Sequence, residues 1–181
     1  RNRVSLEAQA SQKSMRTVTR NGKEIKVGVI TVPSFYQDYD ASRAGAKDYR
    51  STTRDVQRLI GELRKDGAQV LIMDLRANGG GYLPEAESLT GLFIEKGPVV
   101  QLRDTTGHIE VDDDPDPALV YGGPLIVLVD RFSASASEIF SGAIQDYGRG
   151  IIVGQQTYGK GTVQNAHPLN YTIFGRKPDL G

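Results

Sequence analysis

The chain contains no cysteine and no tryptophan, and it has only two histidines, His108 and His167. Without cysteine, disulfide scaffolds, thiolate metal sites and cysteine nucleophiles are all excluded. Neither histidine lies in a recognisable motif, so a Ser-His-Asp triad has little support. No apolar run approaches the roughly 20 residues that a transmembrane helix needs, and residues 1–20 lack the pattern of a signal peptide.

The charges of the chain balance, with 22 Lys and Arg against 22 Asp and Glu. This composition lacks the basic surplus that attracts nucleic acid or an anionic membrane. A length of 181 residues is sufficient for one domain with a buried core. The 21 glycines and the hydrophobic content of 38% are typical of an α/β domain with many loops.

Hydrophobic periodicity predicts strands alternating with helices. The predicted strands are residues 4–8, 16–20, 23–32, 69–75, 98–103, 108–111, 124–129, 150–153 and 163–173, and the predicted helices are residues 52–66, 84–93 and 135–147. The dipeptide Asn21-Gly22 predicts a tight hairpin turn between the second and third strands. Because several strands are continuously apolar, the pattern predicts an α/β fold with a largely parallel central sheet and an N-terminal β-hairpin.

A glycine-rich turn follows the strand predicted at residues 69–75. Residues 74–81 have the sequence Asp-Leu-Arg-Ala-Asn-Gly-Gly-Gly, and three successive glycines permit positive φ and close approach of a ligand to the backbone. The N–H groups of such a turn are able to bind an anion or a developing oxyanion. A tight strand–helix turn accounts for the same glycines. A dinucleotide-binding loop is excluded, because the Gly-x-Gly-x-x-Gly spacing and the downstream acidic residue are missing.

Three serines, at positions 133, 135 and 137, follow another apolar strand at the start of a predicted helix. One interpretation is structural, because Ser135 and Glu138 have the Ser-x-x-Glu spacing of a capping box, which is worth about 1 kcal/mol. The other is catalytic, because the free N–H groups and dipole at a helix N-terminus stabilise negative charge. The structural and the catalytic interpretation are compatible if Ser133 or Ser137 caps the helix while Ser135 is the nucleophile.

Lys160 lies between two glycines, and it is able to fold inward or to stay solvated at a loop tip. A phosphate-binding Walker loop is excluded, because the first glycine of that motif is missing. If Ser135 is a nucleophile it needs a base, and lysine substitutes for histidine in some enzymes. A lysine base must be neutral, so its pKa must fall well below about 10.4, which desolvation achieves when no carboxylate pairs with it.

Together the three segments resemble the C-terminal processing peptidases, also called tail-specific proteases. The matching residues follow the order of that family: residues 74–81, Ser-Ala-Ser-Ala-Ser-Glu-Ile at residues 133–139, and Gly-Lys-Gly-Thr-Val-Gln at residues 159–164. Residues 7–10 and 32–36 also resemble the long periplasmic tail-specific proteases of Gram-negative bacteria. The resemblance covers essentially the whole chain and implies a ClpP/crotonase-like serine peptidase core with a Ser–Lys dyad.

Carried onto this sequence, the resemblance implies a set of catalytic residues. Ser135 is expected to be the nucleophile and Lys160 the general base, with Gln164 orienting the lysine by a hydrogen bond. The backbone N–H groups of Gly81 and Ala136 are expected to form the oxyanion hole.

Asp146, near the end of the predicted serine-bearing helix, matches an acidic position of the family. A carboxylate beside the dyad would raise the pKa of the lysine and oppose base catalysis, so we expect Asp146 to have a supporting, structural role. We expect no metal and no cofactor. The acidic residues 112–116 lack the glycine and the distal glutamate of an EF-hand calcium loop.

The resemblance implies a periplasmic serine endopeptidase that cleaves proteins with apolar, unfolded C-terminal tails through an acyl-enzyme. Residues 1–181 are expected to be a peptidase core fragment, without the family's PDZ domain and C-terminal continuation. A PDZ domain or an adaptor protein is the expected partner in the full-length protein. Two other interpretations stay open: a noncatalytic module that binds peptide or lipid on the same fold, and a crotonase-like enzyme in which two backbone amides polarise an acyl-CoA thioester. The crotonase-like interpretation gives Lys160 no catalytic role.

Overall fold

The computed structural model describes residues 10–114 and 118–164, together with the isolated Leu6. In chain order the elements are β1 (Gln12–Arg20), β2 (Lys23–Thr31), α1 (Tyr39–Arg43), α2 (Thr52–Lys65), β3 (Val70–Asp74), α3 (Leu83–Gly91), β4 (Gly97–Arg103), β5 (Ile109–Asp114), β6 (Leu125–Val129), α4 (Ala136–Asp146) and β7 (Ile151–Gly154). The strand predicted at residues 4–8 lies outside the described residues, apart from Leu6. Of the strand predicted at residues 163–173, only residues 163 and 164 are described, and they are not in a strand.

Five strands form the central sheet, in the order β1-β2-β3-β6-β7. Strands β2, β3, β6 and β7 are parallel to one another, and β1 is antiparallel to β2. Strands β4 and β5 form a separate antiparallel pair. The predicted α/β fold with a largely parallel central sheet and an N-terminal hairpin is therefore confirmed.

The turn between β1 and β2 has the conformation that its sequence favours. Asn21 and Gly22 have φ values of 50° and 72°, as the two central residues of a type I′ turn require. Asn and Gly adopt this left-handed conformation at lower cost than other residues. The predicted hairpin is confirmed, and β1 begins at Gln12, four residues before its predicted start.

Helix α2 packs an apolar stripe into the core. Val56, Leu59, Ile60 and Leu63 are each no more than 4% exposed, and their spacing places them on one face of the helix. Burying each of these side chains contributes roughly 1.5–3 kcal/mol. Gly67, with φ of 87°, ends the helix as predicted, because glycine readily adopts the left-handed conformation there.

Strand β5 continues into the acidic segment that the sequence suggested was a loop. Asp112, Asp113 and Asp114 pair with residues of β4, so the strand ends three residues later than predicted. Aspartate has a low strand propensity, but pairing with a neighbouring strand overrides that preference. The acidic segment is therefore part of the paired strand, and its last residue, Asp114, is buried.

Glu87 of α3 lies beside Asp112 of β5. Burial, reinforced by the charge of Asp112 and a hydrogen bond between the two carboxyl groups, raises the pKa of Glu87 to about 7. A group with a raised pKa contributes stability that is complete below its unfolded value, here 4.5. That stability is lost as the pH rises through the folded value. The stability that this contact contributes should therefore fall as the pH rises from about 4.5 to about 7 and stay low at higher pH.

Glu87→Gln is expected to raise the unfolding temperature at pH 8 by roughly 2–4 °C, which corresponds to about 1 kcal/mol after allowing for solvent screening. The amide is neutral at every pH and is able to donate a hydrogen bond to Asp112, so the melting temperature at pH 5 should hardly change. Thermal unfolding at both pH values measures the effect, and the exposed Glu95→Gln variant is the control. Equal shifts at pH 5 and pH 8 would contradict this account.

Candidate active site

Two turns at the carboxyl ends of β3 and β6 build the candidate site, as is usual for a sheet of parallel strands. The carboxylate of Asp130, directly after β6, accepts hydrogen bonds from the N–H groups of Ala77 at 3.0 Å and Phe132 at 2.9 Å. The bond from Ala77 is the main reason that the pKa of Asp130 is lowered. An ionised Asp130 therefore holds the two turns together.

Asn78 connects three segments around the site and is fully buried. Its side-chain oxygen accepts from Gly80 N–H at 2.8 Å, and its side-chain nitrogen donates to the carbonyl of Val32 at 2.7 Å. Its backbone carbonyl accepts from Ala134 N–H at 3.0 Å and from the hydroxyl of Ser137 at 3.0 Å. One residue thus fixes the glycine turn against both β2 and the serine turn.

The glycine turn is in close contact with backbone on two sides. Phe35 N–H donates to the carbonyl of Gly80 at 2.9 Å, and Tyr82 N–H donates to the carbonyl of Phe35 at 2.9 Å. A Cβ atom at Gly81 would lie 2.0 Å from the carbonyl oxygen of Phe35, and one at Gly80 would lie 2.7 Å from Cβ of Ser135. Gly81 also has φ of 147°. Close approach therefore requires glycine at both positions.

Only one of the three serines reaches the site. The hydroxyl of Ser133 donates to the carbonyl of Leu75 at 2.8 Å, and that of Ser137 donates to the carbonyl of Asn78 at 3.0 Å. Both of these serines are fully buried and bind the preceding turn. Ser135 is half-buried and lines a cavity, so it is the serine available for chemistry.

The backbone of Ser135 is strained. Its φ of 57° and ψ of −118° lie outside the regions that L-residues favour, and such strain often marks a functional residue. Ser135 is the N-cap of α4, and its N–H donates to Oε2 of Glu138 at 2.8 Å. The predicted capping-box arrangement with Glu138 is present. The same serine also lines the cavity, so its position suits both the helix and the chemistry.

Glu138 joins the serine turn to the lysine segment. Besides Ser135 N–H, its carboxylate accepts from Gly159 N–H at 2.7 Å and Lys160 N–H at 2.9 Å, and it is hydrogen-bonded to the side chain of Thr157. Burial acts to raise the pKa of Glu138, but these hydrogen bonds outweigh it and lower the pKa. The sequence predicted only the capping-box contact of Glu138 with Ser135, because the other hydrogen-bond partners of Glu138 lie about twenty residues downstream.

Glu138→Gln is expected to loosen the lysine segment, because an amide has one acceptor oxygen where the carboxylate has two. We expect faster hydrogen exchange at the N–H groups of Gly159 and Lys160 and a lower melting temperature at pH 7. A carboxylate with a lowered pKa contributes stability above its unfolded value and loses it as the pH falls through the folded value. The difference from the parent chain should therefore shrink in acid and vanish once Glu138 is protonated in the folded state, below the ordinary pKa of a glutamate. Glu24→Gln, at an exposed position on β2, is the control, and unchanged exchange would refute the role of Glu138.

A single cavity of about 540 Å³ brings the predicted site residues together. It is lined by Gly81, Ser135, Ala136, Lys160 and Gln164. Apolar atoms of Tyr82, Leu83, Pro84, Ile139 and Val163 line the rest. Residues of all three segments singled out in the sequence therefore line one cavity, and their catalytic roles stay a prediction.

The two predicted oxyanion donors are free to bind a ligand. Neither the N–H of Gly81 nor that of Ala136 donates a hydrogen bond to any described residue. Ala136 is the first residue of α4, where helix geometry leaves the N–H without an intrahelical acceptor. Two unsatisfied N–H donors in a cavity that also contains a serine and a lysine suit the stabilisation of a developing negative charge.

The other candidate residues lie away from this cavity. Asp146 is exposed at the last turn of α4, roughly 16 Å along the helix from Ser135 at 1.5 Å per residue. Its carboxylate forms no hydrogen bond or ion pair with the described residues, so its expected supporting role stays a prediction. His108 lies at the start of β5 and lines a neighbouring groove. His167 is outside the described residues.

The part of the chain that the structure describes has neither a metal-binding cluster nor a membrane-spanning helix. Residues 10–114 and 118–164 contain no cluster of three or more acidic or histidine side chains able to hold a metal ion. None of the helices in these ranges has the length and apolar character needed to cross a membrane.

Known sequences match the chain over most of its length. Residues 26–175 match the model described as Peptidase family S41. The chain is 47% identical over 181 residues to a tail-specific protease of Haemophilus influenzae, covering all of this chain and 24% of that protein. It is 36% identical over 120 residues to a chloroplastic C-terminal processing peptidase of Tetradesmus obliquus, covering 66% of this chain and 26% of that protein. The chain thus spans about a quarter of the length of these relatives.

Solved structures show the same fold. A photosystem II D1 C-terminal processing protease superposes with a TM-score of 0.69 at 27% identity, covering 86% of this chain and 38% of that chain. Mature CPAF superposes with a TM-score of 0.64 at 18% identity, covering 84% of this chain and 42% of that chain; at this identity the likeness concerns the fold alone. These neighbours are consistent with the expected ClpP/crotonase-like core.

Proposed function

The chain belongs to peptidase family S41, and on that premise we propose that it is the catalytic core of a serine endopeptidase with a Ser135–Lys160 dyad. The observation that carries the proposal is the single cavity shared by Ser135, Lys160 and Gln164. It is supported by the strained backbone of Ser135 and by the free N–H groups of Gly81 and Ala136.

In the first half of the proposed reaction, Lys160 removes the hydroxyl proton of Ser135 as Oγ attacks the scissile carbonyl carbon. The carbonyl oxygen becomes an oxyanion that accepts hydrogen bonds from Gly81 N–H and Ala136 N–H. Losing one such donor typically costs about 3 kcal/mol of transition-state stabilisation. When the intermediate collapses, the C–N bond breaks and the lysine gives its proton to the leaving amine, which leaves an acyl-enzyme on Ser135.

In the second half, Lys160 removes a proton from water, and the hydroxide attacks the ester carbonyl through the same oxyanion hole. The ester C–O bond then breaks, the proton returns to Oγ of Ser135, and the acid product leaves. Gln164, which lines the same cavity, would accept a hydrogen bond from the lysine side chain and direct it toward Ser135. No metal or organic cofactor takes part in this proposal.

The proposed substrates are proteins whose C-terminal tails are apolar and unfolded. The apolar side chains of Leu83, Ile139 and Val163 line the cavity beside Ser135, which favours apolar substrate side chains by desolvation. A relative that is 47% identical is named as a tail-specific protease. A PDZ domain or adaptor that delivers tails in the full-length protein is part of the same proposal.

A periplasmic location is also proposed, from the resemblance to the long Gram-negative tail-specific proteases. Other relatives are named as chloroplastic, so the compartment differs within the family. Fractionation of cells expressing the full-length protein, with markers for cytoplasm and periplasm, tests this location directly. Recovery with the cytoplasmic marker would refute it.

The dyad is tested by covalent labelling of the full-length protein with a fluorophosphonate probe, which reacts with activated serines. Peptide mapping by mass spectrometry is expected to find the probe on Ser135 and not on the buried Ser133 or Ser137. Heat-denatured protein is the control and should not react. A noncatalytic binding module would bind an apolar-tailed peptide without being labelled, and that result would overturn the proposal.

A further inference from the structure

A groove of about 560 Å³ adjoins the candidate site on the side of β4 and β5. Ser135 and Lys160 line both this groove and the cavity described above, so the two spaces meet at the proposed dyad. One wall of the groove is formed by residues 160–163, and the other by one face of the β4–β5 pair. A substrate side chain close to the cleaved bond is therefore able to enter the groove.

The register of β4 and β5 identifies the side chains on this face. Leu102 lies directly opposite Glu110, and directly opposed residues of an antiparallel pair share one face. Alternate residues of a strand also share a face, so Val100 lies on the same side as Leu102. His108, two residues before Glu110, continues this face. All four residues line the groove, whereas Ile109, between His108 and Glu110, does not.

The groove combines apolar side chains with a carboxylate. Val100, Leu102 and Ile139 line it and are half-buried, and Val163 adds an apolar side chain from the facing wall. The carboxylate of Glu110 is exposed beside them. It forms no hydrogen bond or ion pair with a described residue. Apolar walls beside an unpaired carboxylate suit a side chain with a long aliphatic stem and a cationic end, as in lysine and arginine.

The other charged groups that line the groove are engaged or face elsewhere. The carboxylate of Asp104 accepts two N–H groups of its own turn, at 2.8 Å and 3.0 Å. The side chain of Arg103 belongs to the opposite face of the strand pair by the register. Lys160, which the proposed mechanism requires to be neutral, forms no ion pair with a described carboxylate. Among the described residues of this wall, Glu110 is therefore the charge left for a ligand.

We propose that Glu110 is a specificity-determining residue that binds a lysine or arginine side chain of the substrate. The aliphatic stem packs against Val100 and Leu102, and the cation pairs with the Glu110 carboxylate. This inference rests on the peptidase function proposed above, and it adds a basic residue near the cleaved bond to the proposed unfolded, apolar-tailed substrate.

The expected preference is modest and has two sources. An exposed ion pair is worth only a small free energy, which corresponds to roughly a two- to fivefold gain in kcat/KM for a basic side chain. A substrate carboxylate in the same position is repelled by Glu110, so acidic residues there are disfavoured. Because the pair is solvated, the preference should shrink at high salt.

The test uses a set of peptide substrates with the full-length enzyme. At each position within about four residues of the cleaved bond, one residue is replaced in turn by lysine, norleucine or glutamate. Norleucine keeps the aliphatic stem and lacks the charge. We expect one position at which kcat/KM is roughly two- to fivefold higher for lysine than for norleucine, and lower for glutamate. Ratios close to one at every position would overturn the proposal.

Variants of the enzyme assign the preference to one residue. Glu110→Gln should remove the preference for lysine and leave cleavage of the norleucine peptide unchanged, and Glu110→Lys should favour the glutamate peptide. Asp113→Asn is the matched control, because Asp113 is exposed on the opposite face of β5. Both Asp113→Asn and His108→Asn should keep the preference. An equal loss in Asp113→Asn and Glu110→Gln would indicate a general field and overturn direct pairing.

Fluorophosphonate labelling separates this inference from the proposal on which it rests. Intact labelling of Ser135 together with equal cleavage of the lysine and norleucine peptides rejects the role of Glu110 and leaves the peptidase proposal standing. Absence of both labelling and cleavage rejects the peptidase proposal, and the role of Glu110 with it. Loss of the lysine preference in Glu110→Gln, with labelling at the parent rate, supports both.

Discussion

Lys160→Ala is expected to lower kcat/KM for an unfolded, apolar-tailed protein substrate by roughly 10³-fold or more, because the Ser135 hydroxyl loses its base. Ser135→Ala should lose at least as much, and the double variant should be no worse than Ser135→Ala, since nucleophile and base act as one unit. Cleavage by the full-length enzyme, followed by mass spectrometry of the products, measures all three. Circular dichroism and thermal unfolding should show an intact fold, because neither side chain is buried in the core.

Two further substitutions make this result specific. Lys160→Arg should be as inactive as Lys160→Ala, because a guanidinium stays protonated and is unable to accept a proton. Lys23→Ala is the matched control at an exposed position on β2, and it should cleave like the parent enzyme. Undiminished cleavage by Lys160→Ala would refute the dyad. A comparable loss in His108→Asn or His167→Asn, with Lys160→Ala active, would assign the base to an imidazole.

Gly81→Ala is expected to reduce kcat by roughly 10²–10³-fold, which is the effect of losing one oxyanion-hole donor. The added methyl group would lie 2.0 Å from the carbonyl oxygen of Phe35, far inside van der Waals contact. The φ of 147° is in addition a conformation that alanine rarely adopts. The turn must therefore move, and Gly81 N–H moves with it. The backbone cost should also lower stability by about 1–3 kcal/mol.

A neighbouring glycine provides the control for this prediction. Gly79 lies in the same turn, but a Cβ atom there would meet no atom within 4 Å, and its φ is not in the left-handed region. Gly79→Ala should therefore keep both kcat and melting temperature close to those of the parent. Steady-state kinetics separate kcat from KM, and thermal unfolding at matched pH measures the cost in stability. A Gly81→Ala enzyme with normal kcat would remove Gly81 from the oxyanion hole.

Local sequence was sufficient for most of the secondary structure. The stripe of Val56, Leu59, Ile60 and Leu63 predicted α2, and Asn21-Gly22 predicted the hairpin, because periodicity and turn chemistry depend on neighbouring residues. The end of β5 was missed for the same reason. Pairing of Asp112 to Asp114 with β4 is a contact between strands, and single-strand propensity is silent on it.

The roles of the three serines illustrate what sequence left open. Their spacing left open whether Ser135 caps the helix or is a nucleophile while Ser133 or Ser137 serves the helix. The contacts of Ser133 with Leu75 and of Ser137 with Asn78 join residues 58 and 59 positions apart, and no local pattern reports such partners. Once those two hydroxyls are committed to the glycine turn, Ser135 is left facing the cavity.

The sequence by itself determined the absence of cysteine chemistry, the alternation of strands and helices, and the Ser135–Lys160 pair as a hypothesis through three ordered motifs. Tertiary structure decided that Ser135 and Lys160 share one cavity and that Glu138 bonds to the backbone of both. The physical reason is that helix and strand preferences arise between residues a few positions apart, whereas a cavity and a bridging carboxylate exist only after distant segments pack together.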